Sequence, residues 1–234
     1  ASIRSQLEAR LPSRVENELP PAFVATAPRR RFIQTVHPDD ADELLLFNSW
    51  GGFSPDGKSY RIIWKEGHYL PTPWINVIAN RHFGFFISDL GSGYTWWQNS
   101  REFKLTPWSN DPVLDPPSEI LFLRDEQSGE VWSAAPSAHI GHDDDDLEDE
   151  SGSIPPYQIE HGHGYTEITH ERHGIEHIMT MYVAREDPVK ITRIQLKNNT
   201  DSERQLSLTP YVEWVLGVER KDNAPFVVRE WVAD

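Results

Sequence analysis

Trp96, Trp97 and Trp108, three of the nine tryptophans in the chain, fall within residues 91–113, among Asn99, Arg101, Glu102 and Asp111. Flat indoles beside amide, guanidinium and carboxylate groups suit the two aspects of a sugar: the ring covers its apolar C–H face, and the polar groups bind its rim of hydroxyls. Trp96, Trp97, Asn99, Arg101, Trp108 and Asp111 are therefore the candidate substrate-binding residues. The opposing reading is a long loop whose tryptophans cover a core, and composition weighs the two evenly.

Other constellations are less specific. His161, His163, His170, His173 and His177 form a second group, and two histidines separated by one residue share a face of a strand. Without cysteine or an evident acidic third ligand, hydrogen-bonded histidines are the expectation and no metal is assigned. Glycosidic hydrolysis needs an acid and a base roughly 5 to 9.5 Å apart. Glu102, Asp111, Asp115 and Glu119 are carboxylates within reach of the tryptophan stretch, but no spacing singles out a pair, so no catalytic residue is assigned. The acidic run DDDDLEDE at 143–150 lacks the glycine and terminal glutamate of an EF-hand and is expected to be a solvated insertion rather than a calcium loop. No phosphate-cradling glycine loop and no Gly-x-Ser-x-Gly elbow is present. The sequon at 198–200 reads as a hairpin turn.

The bulk properties narrow the class of ligand. Against 37 Asp and Glu stand 22 Lys and Arg, a net charge of −15, which repels nucleic acid and anionic membrane and suits a neutral ligand such as a sugar. With no cysteine, disulfides, thiolate nucleophiles and cysteine-based zinc sites are excluded, and a reducing compartment is compatible. The most apolar stretches, 74–79 and 83–87, are far shorter than the roughly 20 residues a bilayer requires. The start at Ala1 and the strand-like run 226–232 at the other end suggest a piece of a longer protein.

The elements that must position these groups read as β-strands. Residues 1–42, with Pro12, Pro20, Pro21 and Pro28, are expected to form an arm or linker, with a short helix only over 3–11. From residue 43 to 234 short apolar or alternating runs follow one another between turn residues, with strands expected at 43–47, 59–64, 74–80, 83–88, 120–124, 131–133, 157–160, 165–171, 175–183, 189–198, 205–215 and 226–232. No sustained helical period appears past residue 31, so an all-β antiparallel sandwich is expected.

A resemblance sharpens this reading. Leu44-Leu-Leu-Phe-Asn48 before Gly51-Gly-Phe53, Pro73-Trp-Ile-Asn-Val-Ile-Ala-Asn80, Gly91-Ser-Gly-Tyr-Thr-Trp96, Asn99-Ser-Arg-Glu102, Leu105-Thr-Pro-Trp-Ser-Asn-Asp-Pro-Val113 and Tyr211-Val-Glu-Trp-Val-Leu-Gly217 together resemble the N-terminal sandwich domain of glycoside hydrolase family 94. The wording is most similar to the phosphorylase-like region of cyclic β-1,2-glucan synthases. The resemblance implies an antiparallel β-supersandwich of galactose-mutarotase type. It would precede an (α/α)₆ barrel of the same polypeptide that carries the general acid and the phosphate site. It also implies a β-glucan oligosaccharide as ligand, inorganic phosphate as co-substrate of the parent enzyme with no metal or organic cofactor, and a homodimer in which the stretch 95–113 reaches a neighbouring active site. The expected location is cytoplasmic, or within an inner-membrane protein whose membrane segments lie outside this chain. A free-standing carbohydrate-binding module and a packing domain without sugar contact are the alternatives.

Overall fold

In Tyr165–Arg172 and Ile175–Val183 buried and half-exposed residues alternate one by one, because only one face of each strand meets a core. The same rule, with local exceptions, builds the whole computed structural model, which describes residues 22–28, 43–65, 69–139 and 155–228. Its strands are β1 (Gly51–Phe53), β2 (Ser59–Trp64), β3 (Ile75–Ala79), β4 (Phe83–Ser88), β5 (Gly93–Trp97), β6 (Glu119–Asp125), β7 (Val131–Ser133), β8 (Tyr157–Gly162), β9 (Tyr165–Arg172), β10 (Ile175–Val183), β11 (Lys190–Asn198) and β12 (Leu206–Val212), followed by a single helical turn, α1 (Arg220–Asn223).

All pairings among these strands are antiparallel. They form a six-stranded sheet in the order β1-β2-β8-β9-β10-β11 and two three-stranded sheets, β3-β4-β5 and β12-β6-β7. Tight turns set the register: between β9 and β10 the two-residue loop His173-Gly174 has φ of 52° and 75°, the left-handed pair that lets a right-twisted hairpin close without splaying. One core joins the three sheets, with Ile62, Tyr157 and Ile168 from the large sheet, Phe85 and Ile87 from β4, and Leu123 and Trp132 from β6 and β7. Each such side chain contributes roughly 1.5–3 kcal/mol on burial, so this layer rather than the exposed ion pairs holds the fold.

Three expected elements differ. Residues 43–47 form no strand; Leu45 alone bridges Phe53, and Leu46 adopts φ 54° while Leu45, Leu46 and Phe47 stay exposed. Their apolar run lacks the alternation that would give one face to a core. Gly93–Trp97, not among the expected strands, is a strand whose middle is buried while Trp97 at its end stays exposed. At 226–232, Phe226 closes a short 3-10 turn (Ala224–Phe226) instead of opening a strand, and residues from 229 lie outside the described ones. The acidic run 143–150 and the helix over 3–11 also lie outside them. Of the arm, residues 22–28 are described: Thr26 and Ala27 donate backbone N–H bonds to Gln127 O at 2.8 and 3.1 Å, and Arg124 lies 4.7 Å over the Phe23 ring.

Asn76 ties the small β3-β4-β5 sheet to the large one. Its Nδ2 donates to the carbonyls of Gly162 at 3.0 Å and Tyr165 at 2.8 Å and reaches Thr166 Oγ1 at 3.1 Å. Asn76→Ala leaves those acceptors unpaired at a part-buried seam, so a loss of about 1–2 kcal/mol in urea unfolding is expected.

Candidate functional site

Consecutive residues of a strand point to opposite faces, so β5 separates Trp96 from Trp97. On one face Tyr94 lies across from Phe86, and Trp96 from Gly84. A Cβ at Gly84 would stand 2.6 Å from the Trp96 ring, which explains a glycine there. Tyr94 is the centre of an aromatic group: Trp108 stacks on it at 5.4 Å and 11°, Phe86 meets it edge-on at 5.0 Å, and Trp96 leans on it at 5.2 Å. Phe86 also supports Trp108 edge-on at 5.9 Å. Trp108 thus has one ring face fixed and remains 47% exposed. Trp97, on the other face, packs edge-on against Phe103 at 5.7 Å.

The polar candidates shape turns. Asn99 Oδ1 accepts the N–H groups of Arg101 and Glu102, both at 2.9 Å, and closes the turn after β5. The Arg101 side chain is 87% exposed and touches Glu102 at 3.4 Å. Asp111 Oδ1 accepts Val113 N–H at 2.9 Å and Leu114 N–H at 3.0 Å, and these two donors hold its carboxyl below the usual carboxylate range. Asp115 N–H in turn donates to Asp111 O at 2.9 Å. Asp115 accepts Ser88 Oγ at 2.5 Å on its side chain and Ser92 Oγ on its backbone carbonyl; burial nevertheless pushes its carboxyl up.

Trp108 and Asp111 line a cleft of about 180 Å³ together with Thr72, Asn110, Asp115 and four prolines, Pro73, Pro107, Pro112 and Pro116. Each proline ring fixes φ, so the wall loses little freedom when a ligand binds. Among the described residues no Lys, Arg or His lines this cleft. An aromatic platform beside hydroxyl, amide and carboxylate acceptors, without a cation, fits a neutral polyol that donates hydrogen bonds. Of the six predicted residues the structure therefore brings two into one cleft and sets Trp96 beside it. Trp97, Asn99 and Arg101 lie away from it, because strand alternation and the intervening turn carry them elsewhere. Sequence reasoning missed Tyr94 and Phe86, which hold Trp108; the period-2 pair Tyr94 and Trp96 was the available signal.

The remaining carboxylates and four of the five histidines have structural partners. Glu102 pairs with Arg101. Glu119 accepts Thr95 Oγ1 at 2.6 Å, Thr106 Oγ1 at 2.9 Å and Lys190 Nζ at 2.6 Å; burial works against its charge, but the Lys190 ammonium and the two hydroxyls outweigh it and keep it below the usual range. His161 bonds Thr166 Oγ1 and Trp74 O at 3.0 and 3.2 Å, His177 bonds Ala134 O at 3.1 Å, and His170 stacks on Tyr157 at 3.7 Å. His173 sits in the β9–β10 turn, 3.3 Å from Glu130, and His163 is exposed. Among the described residues no three of these groups are placed to hold a metal ion. Nor is any described helix long and apolar enough to cross a membrane.

Comparison with known proteins gives the family. Residues 58–234 match the model described as "Glycosyl hydrolase 94, supersandwich domain". The chain is 37% identical over 192 residues to the cyclic beta-(1,2)-glucan synthase NdvB of Rhizobium meliloti (strain 1021), covering 82% of this chain and 6% of that protein. It is 27% identical over 176 residues to the N,N'-diacetylchitobiose phosphorylase of Vibrio proteolyticus, covering 74% of this chain and 20% of the relative. To the solabiose phosphorylase of Paenibacillus borealis it is 23% identical over 169 residues, 71% of this chain and 20% of the relative. The chain thus spans between 6% and 20% of the length of these relatives.

Proposed function

This chain belongs to glycosyl hydrolase family 94, as its supersandwich domain, and from that premise we propose that it is the non-catalytic, sugar-contacting sandwich of a β-glucan phosphorylase-type enzyme, specifically a cyclic β-1,2-glucan synthase. The observation that carries the sugar contact is Trp108, a half-exposed indole whose other face is locked by Tyr94 and Phe86 in a cleft that no described cation lines. The 37% identity to a cyclic glucan synthase supports the substrate class. Bond making and breaking belong, in this reading, to an (α/α)₆ barrel elsewhere in the polypeptide, with inorganic phosphate as co-substrate and with a second subunit in reach of the sandwich. The parent works in the cytoplasm or on the cytoplasmic side of the inner membrane.

Titrating β-1,2-linked glucan oligosaccharides into the protein at millimolar concentration is expected to shift tryptophan fluorescence. Trp108→Ala is expected to weaken binding about tenfold or more, while Arg101→Ala, far more exposed and outside the cleft, leaves it within twofold. Far-UV circular dichroism controls for folding. Fluorescence unmoved by the sugar would overturn the contact and leave a packing role. The exposed Trp97–Phe103 pair favours that second role, as a surface on which the barrel of the same polypeptide rests.

A further inference from the structure

Among the described residues β11 and β12 each end a sheet, β11 pairing only with β10 and β12 only with β6. The bonds Ala184 N–H to Val189 O and Asn199 N–H to Gly174 O fix the phase of the β10–β11 ladder. Odd-numbered residues of β11 bond β10, so Lys190, Thr192, Ile194 and Leu196 turn their N–H and C=O groups to the open side. By the same argument, from Glu126 N–H to Gln205 O and Glu213 N–H to Ser118 O, Leu206, Leu208, Pro210 and Val212 face outward on β12. Pro210 brings no N–H to that open edge, as suits a strand that stays an edge. β11 has no proline and offers its full set.

An open-sided cavity of about 440 Å³ lies against both strands, lined by Met179, Met181, Ile194, Leu208, Phe86 and Leu121 among others. Native interiors hold few voids larger than a water molecule. The charged groups at its wall, Glu119 and Lys190, already answer each other, with Thr95 and Thr106 completing Glu119. The fitting occupant is therefore apolar on one side and carries backbone donors and acceptors along its edge, which describes an extended strand. We propose that the open edge of β11 receives a further β-strand from the same polypeptide, from outside residues 1–234, with apolar residues alternating into this cavity and acidic or polar ones beside Arg193 and Lys197.

Three points select that occupant. The family relatives are at least five times as long as the matched region, so a parent enzyme of the kind proposed above, on which this inference rests, has sequence to supply a strand, and tethering would raise its effective concentration to the millimolar range. A second copy would instead bring together two chains of net charge −15. Arg193, and Lys197 beyond its loose 4.0 Å contact with Glu176, give β11 a basic outer face in an otherwise acidic chain, complementary to carboxylates on a neighbour. The proposal is independent of sugar binding: a protein that ignores glucan would still need the strand.

Site-resolved hydrogen exchange on the full-length protein tests it. The amides of Thr192, Ile194 and Leu196 are expected to exchange as slowly as those of Ile191, Arg193 and Gln195, and at least 100-fold faster in a chain cut to residues 1–234. Fast exchange of the even-numbered amides in the full-length protein would overturn the proposal. So would equal protection in the cut chain, which would assign the strand to residues within it, or protection that rises with protein concentration, which would assign it to a second copy. Should the cut chain not fold, Thr192→Pro in the full-length protein decides. Proline is tolerated at a free edge but breaks an occupied one, so a fall in Tm of 5 °C or more is expected and an unchanged Tm refutes the strand.

Discussion

Arg204→Ala is expected to lower the stability of the fold by about 3–5 kcal/mol, which at a urea m-value of about 2 kcal/mol/M moves the unfolding midpoint down by roughly 2 M. Both partners of the Arg204–Asp125 pair keep only 3% of their side-chain surface in contact with solvent. Arg204 Nε donates to Asp125 Oδ2 at 2.8 Å and its Nη1 donates to His173 O at 2.8 Å, so one guanidinium joins the end of β6 to the β9–β10 turn of the large sheet. Asp125 Oδ1 meanwhile accepts Gln127 and Ser128 N–H at 2.7 and 3.1 Å. Burial works against the charged carboxyl, but those two N–H groups and the guanidinium outweigh it and hold the group below the usual carboxylate range. Removing the arginine strands a buried anion, and the penalty comes from that anion more than from the lost attraction. The double variant Asp125→Asn with Arg204→Met, which retains Oδ1 for the two amides and removes both charges, should therefore recover most of the loss. Lys58→Ala is the control: its partner Asp56 is 58% exposed, and a change within about 0.5 kcal/mol is expected. A small effect of Arg204→Ala, or no recovery in the double variant, would show that the buried pair is not what joins the sheets.

The contrast between β9 or β10 and β5 explains which parts of this fold were legible in the sequence. β9 and β10 bury one face each, and their alternation survives in the residue types. β5 puts Tyr94 and Trp96 on one face but the buried, hydrogen-bonded Thr95 and the exposed Trp97 on the other, so beyond the Tyr94–Trp96 pair Tyr-Thr-Trp-Trp shows no apolar–polar alternation, and the stretch read equally as a loop. Residues 44–47 fail in the opposite way, apolar in composition but with only Leu44 buried. The candidate site follows the same logic. Residue types pointed to sugar chemistry, yet the separation of Trp96 from Trp97 follows only once both are known to lie in one strand. The turn-closing roles of Asn99 and Asp111 leave a local mark, since each precedes by two and three residues the amides it accepts. The clasp of Tyr94 and Phe86 on Trp108 depends on the register of β4 and β5 and on a loop returning from residue 98, none of which a single sequence specifies. The family, by contrast, was legible because its motifs are spread along the chain and each keeps its order.

Acidification from pH 6.5 to pH 4 is expected to remove about 3–4 kcal/mol, a balance of two opposed contributions. Burial pushes both His161 and His177 down to about 4, while each takes a proton near 6.5 when unfolded. Below pH 6.5 the unfolded chain therefore binds protons that the folded one refuses, and stability falls until the folded histidines titrate near pH 4. Each contributes about 3 kcal/mol over that window. Asp89 acts the other way. Burial raises its carboxyl to about 6, against 3.8 unfolded, even though Trp74 N–H donates to it at 2.8 Å. Between those values the folded chain binds the extra proton, so the stability Asp89 gives at acid pH is lost as pH rises through 6, again by about 3 kcal/mol. Asp89→Asn keeps the oxygen that serves Trp74 and removes the buried charge. It should stabilise the protein at pH 7 by about 1–2 kcal/mol, the amide group being a poorer fit than the second carboxyl oxygen, and should roughly double the loss between pH 6.5 and 4. Urea midpoints of the two proteins at pH 7, 5.5 and 4 measure both effects. If Asp89→Asn is less stable at pH 7, or if its acid loss matches that of the wild type, the buried carboxyl under β4 is not carrying the strain its environment implies.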